Sequence, residues 1–227
     1  MNDRKPCIWF VVGSQHLYGP EALRQVEADS KIVAKGLNAS KLPLKIVLKP
    51  MVTTAEEITS FCREANYNKD CIGIITWMHT FSPAKMWAAG LKLLDKPMLQ
   101  LHTQLAAALP WGEIDMDFMN LHQTAHGGRE FGHISTRLRK HFSVAVGHWQ
   151  EDRVLDKLRS WIRSCAGIDE SRHLKVARFG DNMRDVAVTD GDKVEALIKM
   201  GFVVDAFPSG DLAEVLAEVE ESEGNAI

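Results

Sequence analysis

Cysteine is scarce and unpatterned in this chain. Cys7, Cys62, Cys71 and Cys165 are the only four in 227 residues, and no C-x-x-C pair occurs. That argues against a disulfide framework, which belongs to short, cysteine-dense chains, and points to reduced thiols in a cytoplasmic protein, with two structural disulfides as the alternative. Long hydrophobic runs are also missing. The longest N-terminal apolar stretch covers 7–12, too short for a signal h-region or a membrane span. Neither sign of charge dominates. Lys and Arg number 27 against 30 Asp and Glu, a net charge of -3 with both signs interspersed. That excludes a strongly basic nucleic-acid surface or anionic-membrane patch. Gly13 and Gly19 frame a stretch without the Lys-Ser/Thr of a P-loop or the G-x-G-x-x-G of a dinucleotide site. Internal repeats and low-complexity segments are absent.

What is present is the composition of a globular protein, 45% apolar and 25% charged. The length suits one large domain, or one domain and part of another. Short apolar runs alternate with longer amphipathic ones, which predicts an α/β protein with a doubly wound parallel sheet of Rossmann or flavodoxin-like type. Strands are expected over 7–12, 44–48, 71–77, 97–101 and 142–146. Their apolar character implies burial on both faces, with helices in front and behind. Helices are expected over 20–37, 54–65, 83–94, 115–126 and 151–166. Thr54 and Glu57 have the spacing of a capping box, and Ser82 precedes Pro83 as an N-cap would.

A second series follows: strand 174–177, helix 192–200 stopped by Gly201, strand 202–206 and helix 211–220. The expected division is therefore 1–171 for the first α/β domain and 172–227 for the start of a second, incomplete one. An unfinished sheet exposes an edge and apolar faces, so Val203, Val204 and Phe207 should be exposed or covered by another subunit. Asp190-Gly191-Asp192 reads as a turn and helix cap rather than a calcium loop. The acidic tail 214–223 reads as a solvated helix end.

Chemistry is concentrated in two blocks. One is Gly13-Ser14-Gln15-His16-Leu17-Tyr18-Gly19-Pro20. The other runs Phe118-Met119-Asn120-Leu121-His122-Gln123-Thr124-Ala125-His126-Gly127-Gly128-Arg129-Glu130-Phe131-Gly132. On a helix, His122 and His126 would share a face. Gly127-Gly128 would end that helix or admit a ligand close to the backbone. Ordinary hydrogen-bonded histidines are the plainer reading; zinc held by His122, His126 and Glu130 is a sharper one. In open parallel sheets ligands bind beyond the carboxyl ends of the strands. His16, His79, His102 and His148 all follow predicted strands, joined by Gln15, Gln104, Ser82 and Trp149. Such a polar, uncharged rim suits a neutral, hydroxyl-rich ligand. Ser14 and Cys71 show no base partner, so nucleophilic catalysis has no support.

Three further stretches join these blocks: Trp9-Phe10-Val11-Val12, His79-Thr80-Phe81-Ser82-Pro83-Ala84-Lys85-Met86-Trp87, and Arg178-Phe179-Gly180-Asp181-Asn182-Met183-Arg184. Together they make the chain closely resemble L-arabinose isomerase over nearly all its length. Family chains are more than twice as long, so the match is to their amino-terminal portion. The resemblance implies interconversion of L-arabinose and L-ribulose, by hydride shift or enediol, with a divalent ion, usually manganese. It supplies no catalytic residue and no metal ligand here, because the family's two glutamates and two histidines lie in its later half; this chain alone should be inactive. It does imply a substrate-contacting set: Gln15, Leu17, Gln123, His126 and Met183. The first four reach into a neighbouring subunit in similar enzymes, commonly hexamers. The implied partners are thus a pentose and further subunits or the carboxyl-terminal half, with no nucleic acid and no membrane. A non-catalytic sugar-binding or assembly module of the same ancestry is the alternative.

Overall fold

The computed structural model describes residues 4–219, and the chain divides into two compact units at Ala166/Gly167, within the helix that follows the fifth strand. The predicted end of the last helix and the close of the acidic tail lie outside the described residues. In the first unit five strands alternate with helices: β1 (Cys7–Gly13), α1 (Gly19–Ala39), β2 (Lys45–Leu48), α2 (Ala55–Tyr67), β3 (Cys71–Met78), α3 (Ala84–Leu93), β4 (Met98–His102), α4 (Met116–Leu121), α5 (Thr124–Arg137), β5 (Phe142–Val146) and α6 (Asp152–Ser171). All pairings are parallel, in the order β2-β1-β3-β4-β5. This is the doubly wound α/β fold the alternation predicts, with its topological switch between β1 and β3.

The period of two along β1 shows why helices cover both faces. Ile8, Phe10 and Val12 pack with Val26, Val33 and Leu37 of α1 and Leu158 and Ile162 of α6. Trp9 and Val11 point the other way, toward Ile58 and Phe61 of α2, Leu91 of α3 and Phe131 of α5. β1 and β3 are buried throughout, whereas β2 and β5 are not. Burial on both faces therefore holds for the inner strands and fails at the edges, where Val144 and Val146 are exposed.

Two local expectations are confirmed in atomic detail. The Thr54 side chain accepts from the Glu57 N–H (3.2 Å) while Glu57 Oε2 accepts from the Thr54 N–H (3.2 Å), a complete capping box. Asp192 caps the helix after it, accepting from the Glu195 N–H at 2.8 Å. Ser82 is a correction. Its Oγ accepts from Trp87 Nε1 (2.9 Å), and the Ala84 N–H at the start of α3 is met by Glu130 Oε2 (2.9 Å), from α5. The chain places a charged acceptor where the helix dipole favours one.

The second unit carries β6 (Lys175–Phe179), a 3-10 turn (Ala187–Thr189), α7 (Lys193–Met200), β7 (Val203–Phe207) and α8 (Ser209–Glu218). β6 and β7 form their own two-stranded parallel sheet. Gly201 ends α7 in the left-handed region (φ 85°), as its position predicts. Val203 and Phe207 are exposed and Val204 is half-buried. Among the described residues no helix is long and apolar enough to cross a membrane.

Candidate functional site

At the switch point the chain leaves β1 through Ser14. Its N–H donates to the Val52 carbonyl (3.0 Å), and its buried hydroxyl meets that of Thr80, just past β3 (2.7 Å). This stitch fixes two loops side by side at the carboxyl ends of neighbouring strands. The first loop turns through a 3-10 helix (His16–Tyr18) that presents Leu17, 83% exposed, with Gln15 half-buried at its start. His16 anchors the turn: its Nε2 lies 3.0 Å from Thr53 Oγ1, which donates its one proton to Glu57 Oε2 (2.9 Å). The Thr53 oxygen is thereby left to accept, so His16 Nε2 carries the hydrogen. Burial by itself would raise the Glu57 carboxyl, but hydrogen bonds from the Thr53 N–H, its hydroxyl and the Thr54 N–H hold it below the ordinary value.

The second block folds differently from its prediction. One helix over 115–126 is replaced by α4 and α5, broken at His122-Gln123, so His122 and His126 share no helix face. Gly127 and Gly128 lie inside α5 rather than ending it. A Cβ on Gly127 would sit 3.1 Å from the Thr80 carbonyl oxygen, and one on Gly128 only 2.5 Å from His102 Nδ1. The glycines let the helix backbone rest on the ends of β3 and β4. His122 lies tilted against Phe118 (4.3 Å between centroids, 40°), and His126 stacks on Phe81 (4.6 Å). With Glu130 committed to α3, the zinc reading loses its third donor.

Gln123 immediately precedes α5 and links the two blocks. Its side-chain NH2 donates to Tyr18 Oη (3.2 Å) and Asn120 Oδ1 (3.3 Å), and its Oε1 accepts from His126 Nδ1 (3.3 Å). Gln15, Leu17, Gln123 and His126 are thus gathered by bonded neighbours on one rim. Met183 belongs to the second unit, exposed in the turn after β6, where Asn182 Nδ2 donates to Asp190 Oδ1 at 2.7 Å.

His16, His79 and His148 follow their strands and His102 is the last residue of β4, but the four serve different ends. His79 is fully buried, and its Nε2 donates to Asp29 Oδ2 at 2.6 Å. His148 donates from Nε2 to the Leu105 carbonyl (3.0 Å), which Trp149 Nε1 also reaches (3.1 Å). His102 packs beside Gly128 and titrates below the ordinary value, through burial first and then Arg129. The strand ends also carry carboxyl groups, since Asp29 bonds to His79, Glu57 to Thr53 and Glu130 to the Ala84 N–H. Asp29 escaped the sequence reading because α1 looks amphipathic. The signal was its place in the stripe Val26, Asp29, Val33, Leu37, an acid at a buried helical position.

Gln123, Tyr18 and His126 offer an amide, a phenol and an imidazole, which suit a neutral polyol better than an anion. Burial pushes the Cys62, Cys71 and Cys165 thiols up to about 12, and all four cysteines are free and buried. They are inert packing residues. The described residues hold no group of three or more His, Cys, Asp or Glu able to ligate a metal ion, so no step through an ion is assigned to them.

A family model of the L-arabinose isomerase N-terminal domain matches residues 2–173, and one of the L-arabinose isomerase central domain matches 175–227. The chain belongs to the L-arabinose isomerase family. It is 58% identical to L-arabinose isomerases of Escherichia coli O157:H7 and Enterobacter sp. (strain 638), and 57% identical to that of Shigella boydii serotype 18. Each comparison covers 97% of this chain and 44% of the relative, so the chain spans less than half the length of the L-arabinose isomerases it matches.

Proposed function

We propose that this chain supplies substrate-contacting and assembly surfaces of an L-arabinose isomerase, which interconverts L-arabinose and L-ribulose, and that it is inactive alone. Gln15, Leu17, Gln123 and His126 contact the pentose in the site of a neighbouring copy within a homo-oligomer, a hexamer in similar enzymes. Met183 contacts sugar from the second unit, which we read as the start of a further α/β domain from residue 172. A divalent ion, manganese by family likeness, is held by residues this chain does not contain; when bound, such an ion polarises the sugar carbonyl. The free thiols fit a cytoplasmic protein. The observation that carries the reading is Gln123, whose amide ties Tyr18 and His126 together at the switch point beside the protruding Leu17. A site made of paired amide and imidazole groups discriminates hydroxyls, because a missing hydroxyl leaves a partner unsatisfied.

Co-expression tests this. The partner is an Escherichia coli L-arabinose isomerase carrying alanine at the positions matching Gln123 and His126. The wild-type 227-residue chain should co-purify with it and restore manganese-dependent isomerisation, while a Gln123→Ala/His126→Ala chain should not. Co-purification without restored activity, or isomerisation by the pure chain, would overturn the proposal. An assembly module without sugar contacts is the second reading. It is favoured by the apolar surface of Leu109, Trp111, Met116 and Met119, all exposed; it expects co-purification with no restored activity.

A further inference from the structure

The carboxyl end of β3 holds a buried polar pair that contacts no surface. His79 is 0% and Asp29 1% exposed, and both carboxyl oxygens are used: Oδ2 accepts from His79 Nε2 (2.6 Å) and Oδ1 from Gln25 Nε2 (2.8 Å). The imidazole is clamped between rings, stacked on Trp77 (4.2 Å, 11°) and 5.3 Å from His122. Its Nδ1 has no hydrogen-bond partner among the described residues. Burying such a pair is costly, and apolar side chains of the same volume would avoid that cost. What the pair provides instead is one fixed ring orientation at the end of β3.

That orientation bears directly on the α4–α5 break. The Gln123 N–H, which the break leaves without a helical acceptor, donates to the His79 carbonyl (3.0 Å). One residue further, Thr124 Oγ1 accepts from Trp77 Nε1 (3.1 Å), the ring on which His79 stacks. Two bonds therefore run from the end of β3 to the first residues of α5. From there the Gln123 side chain reaches Tyr18 and His126.

We propose that Asp29 and His79 are positioning residues: through the His79 carbonyl and Trp77 they set the start of α5, and so the placement of Gln123 and His126. This rests on the reading of those two as sugar contacts. Asp29→Ala removes the acceptor; Asp29→Asn keeps the volume and one acceptor but sets an amide against Gln25. Val33→Ala, one turn along α1 in the same core, is the control for mere loss of stability.

Two readouts are made: the Gln123 amide and His126 ring signals of the 227-residue chain by NMR, and KM and kcat for L-arabinose in the co-expressed assembly. Asp29→Ala should displace both sets of signals and raise KM about fivefold, the scale of one neutral hydrogen bond, with kcat little changed. Asp29→Asn should move both in the same direction by less, and Val33→Ala should move neither. A folded Asp29→Ala or Asp29→Asn chain with wild-type signals would overturn the proposal. So would equal displacement by Val33→Ala, or failure of both Asp29 variants to fold, which would make the pair a stability element only. If the wild-type chain restores no activity, the sugar reading falls and the NMR signals alone decide the positioning.

Discussion

The two units use the same strand-helix grammar and end in opposite conditions. In the first, β1 and β3 are buried from end to end, and large side chains such as Trp77, Trp87, Phe10 and Phe131 are almost wholly enclosed. In the second, no described residue beyond Cys165 is buried, and Phe179, Val194, Ile198, Phe207 and Leu216 are exposed. The difference is one of layers rather than of sequence quality. Five strands with helices on both faces enclose two cores, whereas two strands and two helices have too little surface to enclose one. Apolar spacing thus specifies which residues want cover, and topology decides whether the unit can provide it.

The contrast breaks most sharply on a core deletion. Trp77→Ala should cost about 4 kcal/mol, because it empties a buried site and strands the partners of its Nε1, whereas Phe207→Ala should cost less than about 1 kcal/mol. Urea denaturation of the two variants measures the difference; equal losses would mean that the second unit has a core of its own. A smaller effect probes the close approach on which the rim is built. Gly128→Ala should cost about 2 kcal/mol through overpacking against His102, and should displace the His126 ring signals. Retention of wild-type stability would show that α5 can back away from β4 freely.

The smallest effect is one of pH. His122 titrates below the ordinary histidine value, through burial first and then the neighbouring His79, with Asp29 opposing. The unfolded chain therefore binds more protons between the two values. Stability from this group is complete above about 6.5 and is lost as pH falls toward the lowered folded value. His122→Asn should flatten that part of the stability profile in denaturation curves taken from pH 5 to 8. An unchanged slope would place the acid sensitivity on other groups.

Much of the fold was legible because it depends on local periodicity. The apolar runs beginning at Cys7 and Cys71, the Thr54–Glu57 box and Gly201 each state their structure within a few residues. Which polar residues gather at this strand edge was more legible than how they are arranged there. Gln15, Leu17, Gln123 and His126 do meet on one rim, but the break at His122-Gln123 could not be read from a segment whose spacing suits a continuous helix. Gly127-Gly128 normally signals an end; here it signals contact with Thr80 and His102, which are far away in sequence. Asp29, Ser82 and Glu130 were obscured for the same reason, since each is defined by a partner on another element.

The rim itself is tested most directly by titrating the 227-residue chain with L-arabinose while following the amide and imidazole signals of Gln15, Gln123 and His126. Saturable displacement of these three together, abolished by Gln123→Ala, is the expected result. Signals that stay still, or that move at residues scattered away from the β1–β3 switch, would contradict a sugar-gripping surface at this place.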